Sequence, residues 1–138
     1  MKKNIVPALV TAVAFLFLSC LADSKKASPR PAVSATLNPY ASYEKLAALV
    51  SGKDATPFLL LDVRRADEYA EGRIPGAVNL PYDEIAAGKP DVPKDRLVIV
   101  YCRTGRRSAI AAESLSKLGF ENVADFGGIP NWKGDLAK

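Results

Sequence analysis

Two short, almost uninterrupted apolar runs constrain this chain more than anything else in it: Phe-Leu-Leu-Leu-Asp-Val at 58–63 and Leu-Val-Ile-Val-Tyr at 97–101. A strand with one face in water alternates apolar and polar residues, whereas a continuous run has to bury both faces. That pattern belongs to parallel sheets covered by helices. Helix signals lie between and after the runs. Ser42 can cap a helix continuing to about Val50, with Glu44 in its first turn and Gly52 just beyond its end. Ala66 to Glu71 reads as a short helix stopped by Gly72, and Tyr82 to Ala87 as another ending at Gly88. From about Arg107 to Leu118, Ala109, Ala112, Leu115 and Leu118 fall near helical spacing, with Gly119 as the stop. Brief strands are expected at 77–80 and 123–126, after which Gly127-Gly128 opens a short tail around Trp132. Strands alternating with helices imply βαβ units. The expected fold class is therefore α/β, a central, mostly parallel β-sheet flanked by helices on both faces.

The 138 residues suffice for one such domain. The front of the chain is different. Lys2 and Lys3 precede an apolar stretch from Ile5 to Leu18, too short for a stable span and with no amphipathic period, and Ser19-Cys20 follow. This is the pattern of a signal peptide. Phe17-Leu18-Ser19-Cys20 resembles a bacterial lipobox, in which the cysteine is acylated and becomes the mature N-terminus; cleavage after Ala22 is the alternative. The expected organisation is a signal peptide over 1–19, a flexible Ser-, Lys-, Pro- and Ala-rich tether over 20–39, and a domain over 40–138. The protein is expected to be exported, periplasmic or at the cell surface, and held to a membrane by lipid on Cys20. Each buried methylene of such a lipid contributes about 0.8 kcal/mol.

Of 19 basic residues, loss of Lys2 and Lys3 leaves 17 against 15 acidic ones, a net of +2. That is too mild to argue for nucleic acid. There is no histidine and no cysteine cluster, so neither a metal site nor a cofactor is expected. The positive charge is local: Arg103, Arg106 and Arg107 share one short segment with Cys102. If Cys20 is lipidated or removed, Cys102 is a lone thiol in an exported protein, a liability unless its reactivity is used.

Cys102-Arg103-Thr104-Gly105-Arg106-Arg107-Ser108 lies between a buried strand and the start of a helix. The first amides of a helix lack intrahelical partners, and the helix dipole adds partial positive charge there. A loop curled above them forms an anion-binding nest, and Gly105 permits the curl. Lowering a cysteine from about 8.5 to about 6.5 takes roughly 2.7 kcal/mol. A helix terminus supplies about 0.3 to 1 kcal/mol, at most about 2. Cationic side chains or direct amide hydrogen bonds must provide the rest. A thiolate formed in this way needs no general base, which suits a chain without histidine.

These residues resemble the active-site loop of single-domain rhodaneses. A second segment, Asp62-Val63-Arg64 through Glu68-Tyr69 to Gly72-Arg73-Ile74-Pro75-Gly76-Ala77-Val78-Asn79-Leu80-Pro81, is similar to another signature of that family, and Gly127-Gly128 with Trp132 to its C-terminal pattern. The resemblance spans about 42–132. It implies transfer of sulfane sulfur from a small anionic donor such as thiosulfate to a thiophilic acceptor, cyanide or a thiol. Cys102 would be the nucleophile and persulfide carrier. Backbone amides of the segment from Arg103 through Thr104, Gly105 and Arg106 to Arg107 would cradle the outer sulfur. Arg107 and Ser108 would stabilise the loop, and Asp62 and Arg64 would support the site. Arg73 stands where the family most often has histidine. A monomer is expected.

Two other readings compete: a non-enzymatic sulfur or anion carrier docking to a redox partner, and an oxyanion phosphatase. Relatives acting on phosphate or arsenate resemble Cys-x5-Arg, whereas here the sixth residue after Cys102 is Ser108 and the fit is Cys-x4-Arg ending at Arg107. The shorter loop favours sulfur.

Overall fold

The computed structural model describes residues 39–88 and 90–138. The expectations for the signal segment, for Cys20 and for the tether up to residue 38 fall outside the described residues. The first described turn is a 3-10 turn, Pro39–Ala41, followed by helix α1, Tyr43–Val50. The amide of Lys45 donates to the Ser42 hydroxyl, which caps α1. Strand β1 (Phe58–Asp62), helix α2 (Ala66–Glu71), strand β2 (Val78–Asn79), helix α3 (Tyr82–Ala86), strand β3 (Leu97–Cys102), helix α4 (Arg106–Lys117) and strand β4 (Val123–Gly128) follow.

The four strands form one sheet in the order β2-β1-β3-β4, and every pairing is parallel. All six residues of β3 are buried, as the lack of alternation in its sequence requires. Successive side chains of β3 go to opposite faces. Val98, Val100 and Cys102 pack with Ile85 of α3 and with Ala111, Ala112 and Leu115 of α4. Leu97, Ile99 and Tyr101 pack with Leu46 and Leu49 of α1 and with Ile74, and Trp132 lies against that cluster. The indole meets the Tyr43 ring edge-on at 5.4 Å and donates to the Asp135 carbonyl at 3.1 Å. Helices thus cover both faces.

From β1 the chain first moves outward to β2, then returns across β1 to β3. The strand order therefore reverses between β1 and β3, the place where open α/β sheets bind ligands, beyond the carboxyl ends of their strands. Asp62 ends β1 there and Cys102 ends β3.

Several boundaries differ from the sequence reading by a residue or two, and three of them lie at this end of the sheet. β3 runs one residue further, to Cys102, α4 starts at Arg106, and β4 continues through Gly127 and Gly128 instead of ending at Phe126. The last is due to a bulge. Val100 pairs with Asp125 but Tyr101 pairs with Gly127, so Phe126 is an extra residue in β4. The Asp125 carboxylate accepts the Gly127 amide at 2.8 Å and holds the bulge.

Candidate active site

Gly105 is the N-cap of α4, in the left-handed region at φ 99°, and with no side chain it cannot cap the helix itself. The Cys102 sulfur takes that place. The Gly105 amide donates to Sγ at 3.0 Å, and the backbone amides of Thr104 and Ser108 add to the cradle. The thiol donates to Ser108 Oγ at 3.7 Å, and that hydroxyl donates to the Gly105 carbonyl at 2.9 Å. On ionisation the hydroxyl can rotate toward the sulfur. Burial pushes the Cys102 thiol up, but the Ser108 amide and hydroxyl and the Thr104 and Gly105 amides outweigh it and hold its pKa below the ordinary value.

The arginines divide. Arg107, expected to stabilise the loop, is clasped by Glu68 of α2, with Nη1 donating to Oε2 at 2.6 Å and Nη2 to Oε1 at 2.9 Å. A bidentate pair of this kind fixes both side chains. It also pulls the Glu68 carboxyl down to about 2. Arg103 and Arg106 are exposed. The amides therefore favour the thiolate most directly, and the paired Arg107 supplies charge at longer range. Arg103, Arg107 and Glu68 line an open cleft of about 360 Å³ with Arg65, Asp67 and Glu71. Glu68 is a member of this site to which the sequence alone assigns no role. Nothing local marks it, because its partner is 39 residues away.

Asp62 and Arg64 form a second buried assembly on the opposite side of β3. Both Asp62 oxygens accept from the Arg64 guanidinium, the shortest bond being 2.5 Å. Arg64 also donates to the Gly72 carbonyl at 2.7 Å. The Tyr101 hydroxyl donates to Asp62 at 2.8 Å and accepts the Ile74 amide at 3.1 Å. This network ties the ends of β1 and β3 to the 72–74 turn, behind the sulfur rather than beside it. Among the described residues, no buried side-chain nitrogen or oxygen lacks a partner. Arg73 contributes to neither assembly. Its guanidinium lies 4.6 Å from the Tyr69 ring centroid and donates to the Lys138 carbonyl at 3.0 Å. Among the described residues, no cluster of His, Cys, Asp or Glu could hold a metal ion.

A parallel α/β domain that presents one thiol of lowered pKa to a nest of backbone amides is built for thiolate chemistry. The chain belongs to the Rhodanese-like domain family, which matches residues 42–135. It is similar to a sulfurtransferase of Allochromatium vinosum, 41% identical over 80 residues that cover 57% of this chain and 75% of the relative. It is also similar to the thiosulfate sulfurtransferase PspE of Escherichia coli, 40% identical over 73 residues, 50% of this chain and 68% of that one. A solved structure described as a rhodanese with anions from E. coli matches with TM-score 0.51 and 34% identity, covering 59% of this chain and 99% of that one. The α/β fold expected from the strand pattern is the fold of these domains.

Proposed function

We propose that the protein is a sulfurtransferase that moves sulfane sulfur from thiosulfate or a similar anionic donor to a thiophilic acceptor, cyanide or a thiol, through a persulfide on Cys102. The observation that carries this reading is the Gly105 amide donating to Sγ at 3.0 Å, at a helix start whose free amides converge on the same atom. The thiolate attacks the outer sulfur of thiosulfate. A new S–S bond forms at Cys102, the S–S bond of thiosulfate breaks, and sulfite leaves with its electron pair. Cyanide or a thiolate then attacks the outer sulfur of the persulfide, and the Cys102 thiolate departs unchanged. No proton has to move in the first step, which fits a site without a general base. The loop amides that hold the thiolate can also hold the negative outer sulfur.

Mass spectrometry after thiosulfate treatment should show Cys102 heavier by one sulfur atom, and Cys102→Ser should show no gain. An unmodified Cys102 in excess donor would overturn the reading. A persulfide that forms but never passes to cyanide or a thiol would leave the carrier alternative instead. We further propose export and lipid attachment at Cys20, which would place the domain at a membrane surface. Cys20→Ala should then release the protein into the soluble fraction; a wild type already soluble there would refute the anchor.

A further inference from the structure

The end of β4 passes directly beneath the sulfur-binding loop. An atom placed where a Cβ would stand on Gly128 lies 3.0 Å from the Arg103 carbonyl oxygen and 3.2 Å from Thr104 Cα, both backbone, and 3.2 Å from Pro130 Cδ. Contacts this short require the neighbours to move by a few tenths of an ångström. Yet Gly128 has φ −91° and ψ 145°, extended backbone open to any residue. Nothing in the conformation of β4 calls for glycine at this position; only the space under the loop does. The neighbouring Gly127 is different, since its φ of 85° by itself favours glycine.

The register of β4 brings this bare position to its place. Without the extra residue Phe126, the partner of Cys102 would be a different residue; with it, Cys102 pairs with Gly128 and Tyr101 with Gly127. Asp125 holds the bulge through the Gly127 amide. The Ser108 hydroxyl approaches the Gly127 carbonyl at 3.3 Å, so the first turn of α4 rests on the same support. Bulges commonly re-aim groups beside active sites.

We propose that Gly128, kept in register by the Asp125-held bulge, is a positioning residue: its bare Cα is the floor on which Arg103 and Thr104 rest, and it sets how closely the loop amides approach the Cys102 sulfur. The inference requires Cys102 to be the reactive sulfur and does not depend on what that sulfur carries. A side chain at 128 lifts the loop. The amides of Thr104 and Gly105 then bond the sulfur less well, and the thiolate loses their support. The lift acts on the backbone beside the sulfur, so its effect is read first on the thiol.

The test is the pH dependence of Cys102 alkylation by iodoacetamide on the full chain, a readout that needs no sulfur transfer. Gly128→Ala should move the midpoint upward by about one pH unit, which is about tenfold slower alkylation below both midpoints. Its circular dichroism should match the wild type. A folded Gly128→Ala with an unshifted midpoint would overturn the proposal. Asp125 provides a second arm that adds no bulk and decides the matter should Gly128→Ala fail to fold. Asp125→Ala removes a negative charge, which alone would lower the midpoint, so a rise identifies loss of the seat. Asp125→Asn removes the same charge but keeps an acceptor for the Gly127 amide, so its midpoint should not rise above that of the wild type. A fall in Asp125→Ala would equally refute the role of the bulge. A wild type that transfers no sulfur while the variants' midpoints shift as expected would count against the proposed reaction and not against the seat.

Discussion

The guanidinium of Arg107, on the first turn of α4, faces the carboxylate of Glu68 on α2 in a two-point clasp with bonds of 2.6 and 2.9 Å. It joins the sulfur loop to the helix after β1 and keeps a cation at the α4 N-terminus, where the helix dipole opposes it. Either partner alone is worse than the pair: Arg107→Ala leaves Glu68 an anion near the thiolate with only Arg65 beside it, its amide at 3.3 Å and its guanidinium at 3.9 Å, and Glu68→Gln leaves Arg107 without its carboxylate. Arg107→Ala should slow thiosulfate turnover and raise the Cys102 alkylation midpoint, whereas Glu68→Gln should lower Tm without raising that midpoint. Turnover unchanged in Arg107→Ala would remove the clasp from the site. The pair also has a pH signature. The Glu68 carboxyl lies below its ordinary 4.5, at about 2, so its contribution is complete above pH 4.5 and lost as pH falls toward 2. Water screens such a pair, so its worth is about 1 kcal/mol. Acid titration of Tm should therefore show a decline in the wild type that is blunted in Glu68→Gln.

Ser108 should matter through its hydroxyl. Buried under the loop, it faces Sγ at 3.7 Å and bonds the Gly105 carbonyl at 2.9 Å. One hydrogen bond to the thiolate is worth about 1 kcal/mol, or about 0.7 of a pH unit. Ser108→Ala should raise the alkylation midpoint by about that amount, and Ser108→Thr, which keeps the hydroxyl, should recover part of it if the added methyl is accommodated. A midpoint indifferent to Ser108→Ala would assign the lowered thiol pKa to the amides alone.

Much of this was legible from the chain. The apolar runs gave β1 and β3, and with them the two-faced burial, because a continuous apolar stretch has only one stable environment. The thiol loop followed from Cys102, Gly105 and the arginines standing between a strand and a helix. What remained hidden depends on register. Gly127-Gly128 looked like the punctuation that ends a strand, and only the bulge at Phe126 keeps both residues in the ladder. Glu68 is an ordinary first-turn carboxylate until the fold brings the Arg107 guanidinium within 2.6 Å of it. Tyr101 looked like one more apolar strand residue. Its hydroxyl acquires a role only because the β1–β3 register sets Asp62 opposite it.

That Tyr101–Asp62 bond is separable from the chemistry. Tyr101 and Cys102 are consecutive in β3 and point to opposite faces. Tyr101→Phe leaves the buried Ile74 amide without its acceptor and Asp62 with one donor fewer. Unsatisfied buried groups cost about 1–3 kcal/mol each, so Tm should fall by several degrees, about 4–8 °C for each kcal/mol in a domain of this size. The alkylation midpoint should stay at the wild-type value. Measuring both on one preparation checks the division, and a midpoint moving with Tm would show that the network behind the sheet reaches the sulfur after all.

Arg103 completes the division of labour on the sulfur side. It is exposed, lines the cleft and carries no ion pair among the described residues, unlike Arg107. If the proposed reaction holds, an exposed guanidinium on this cleft would attract a doubly negative donor without touching the bonds that hold the thiolate. Arg103→Ala should therefore raise KM for thiosulfate about two- to fivefold at low ionic strength, the scale of one exposed charge interaction. Added salt screens charges over about 10 Å at 0.1 M, so the gap between variant and wild type should narrow as salt rises. The alkylation midpoint with neutral iodoacetamide should hardly move. Steady-state kinetics across a salt series is the check; a KM gap that persists at high salt would mean that Arg103 bonds the donor directly rather than steering it.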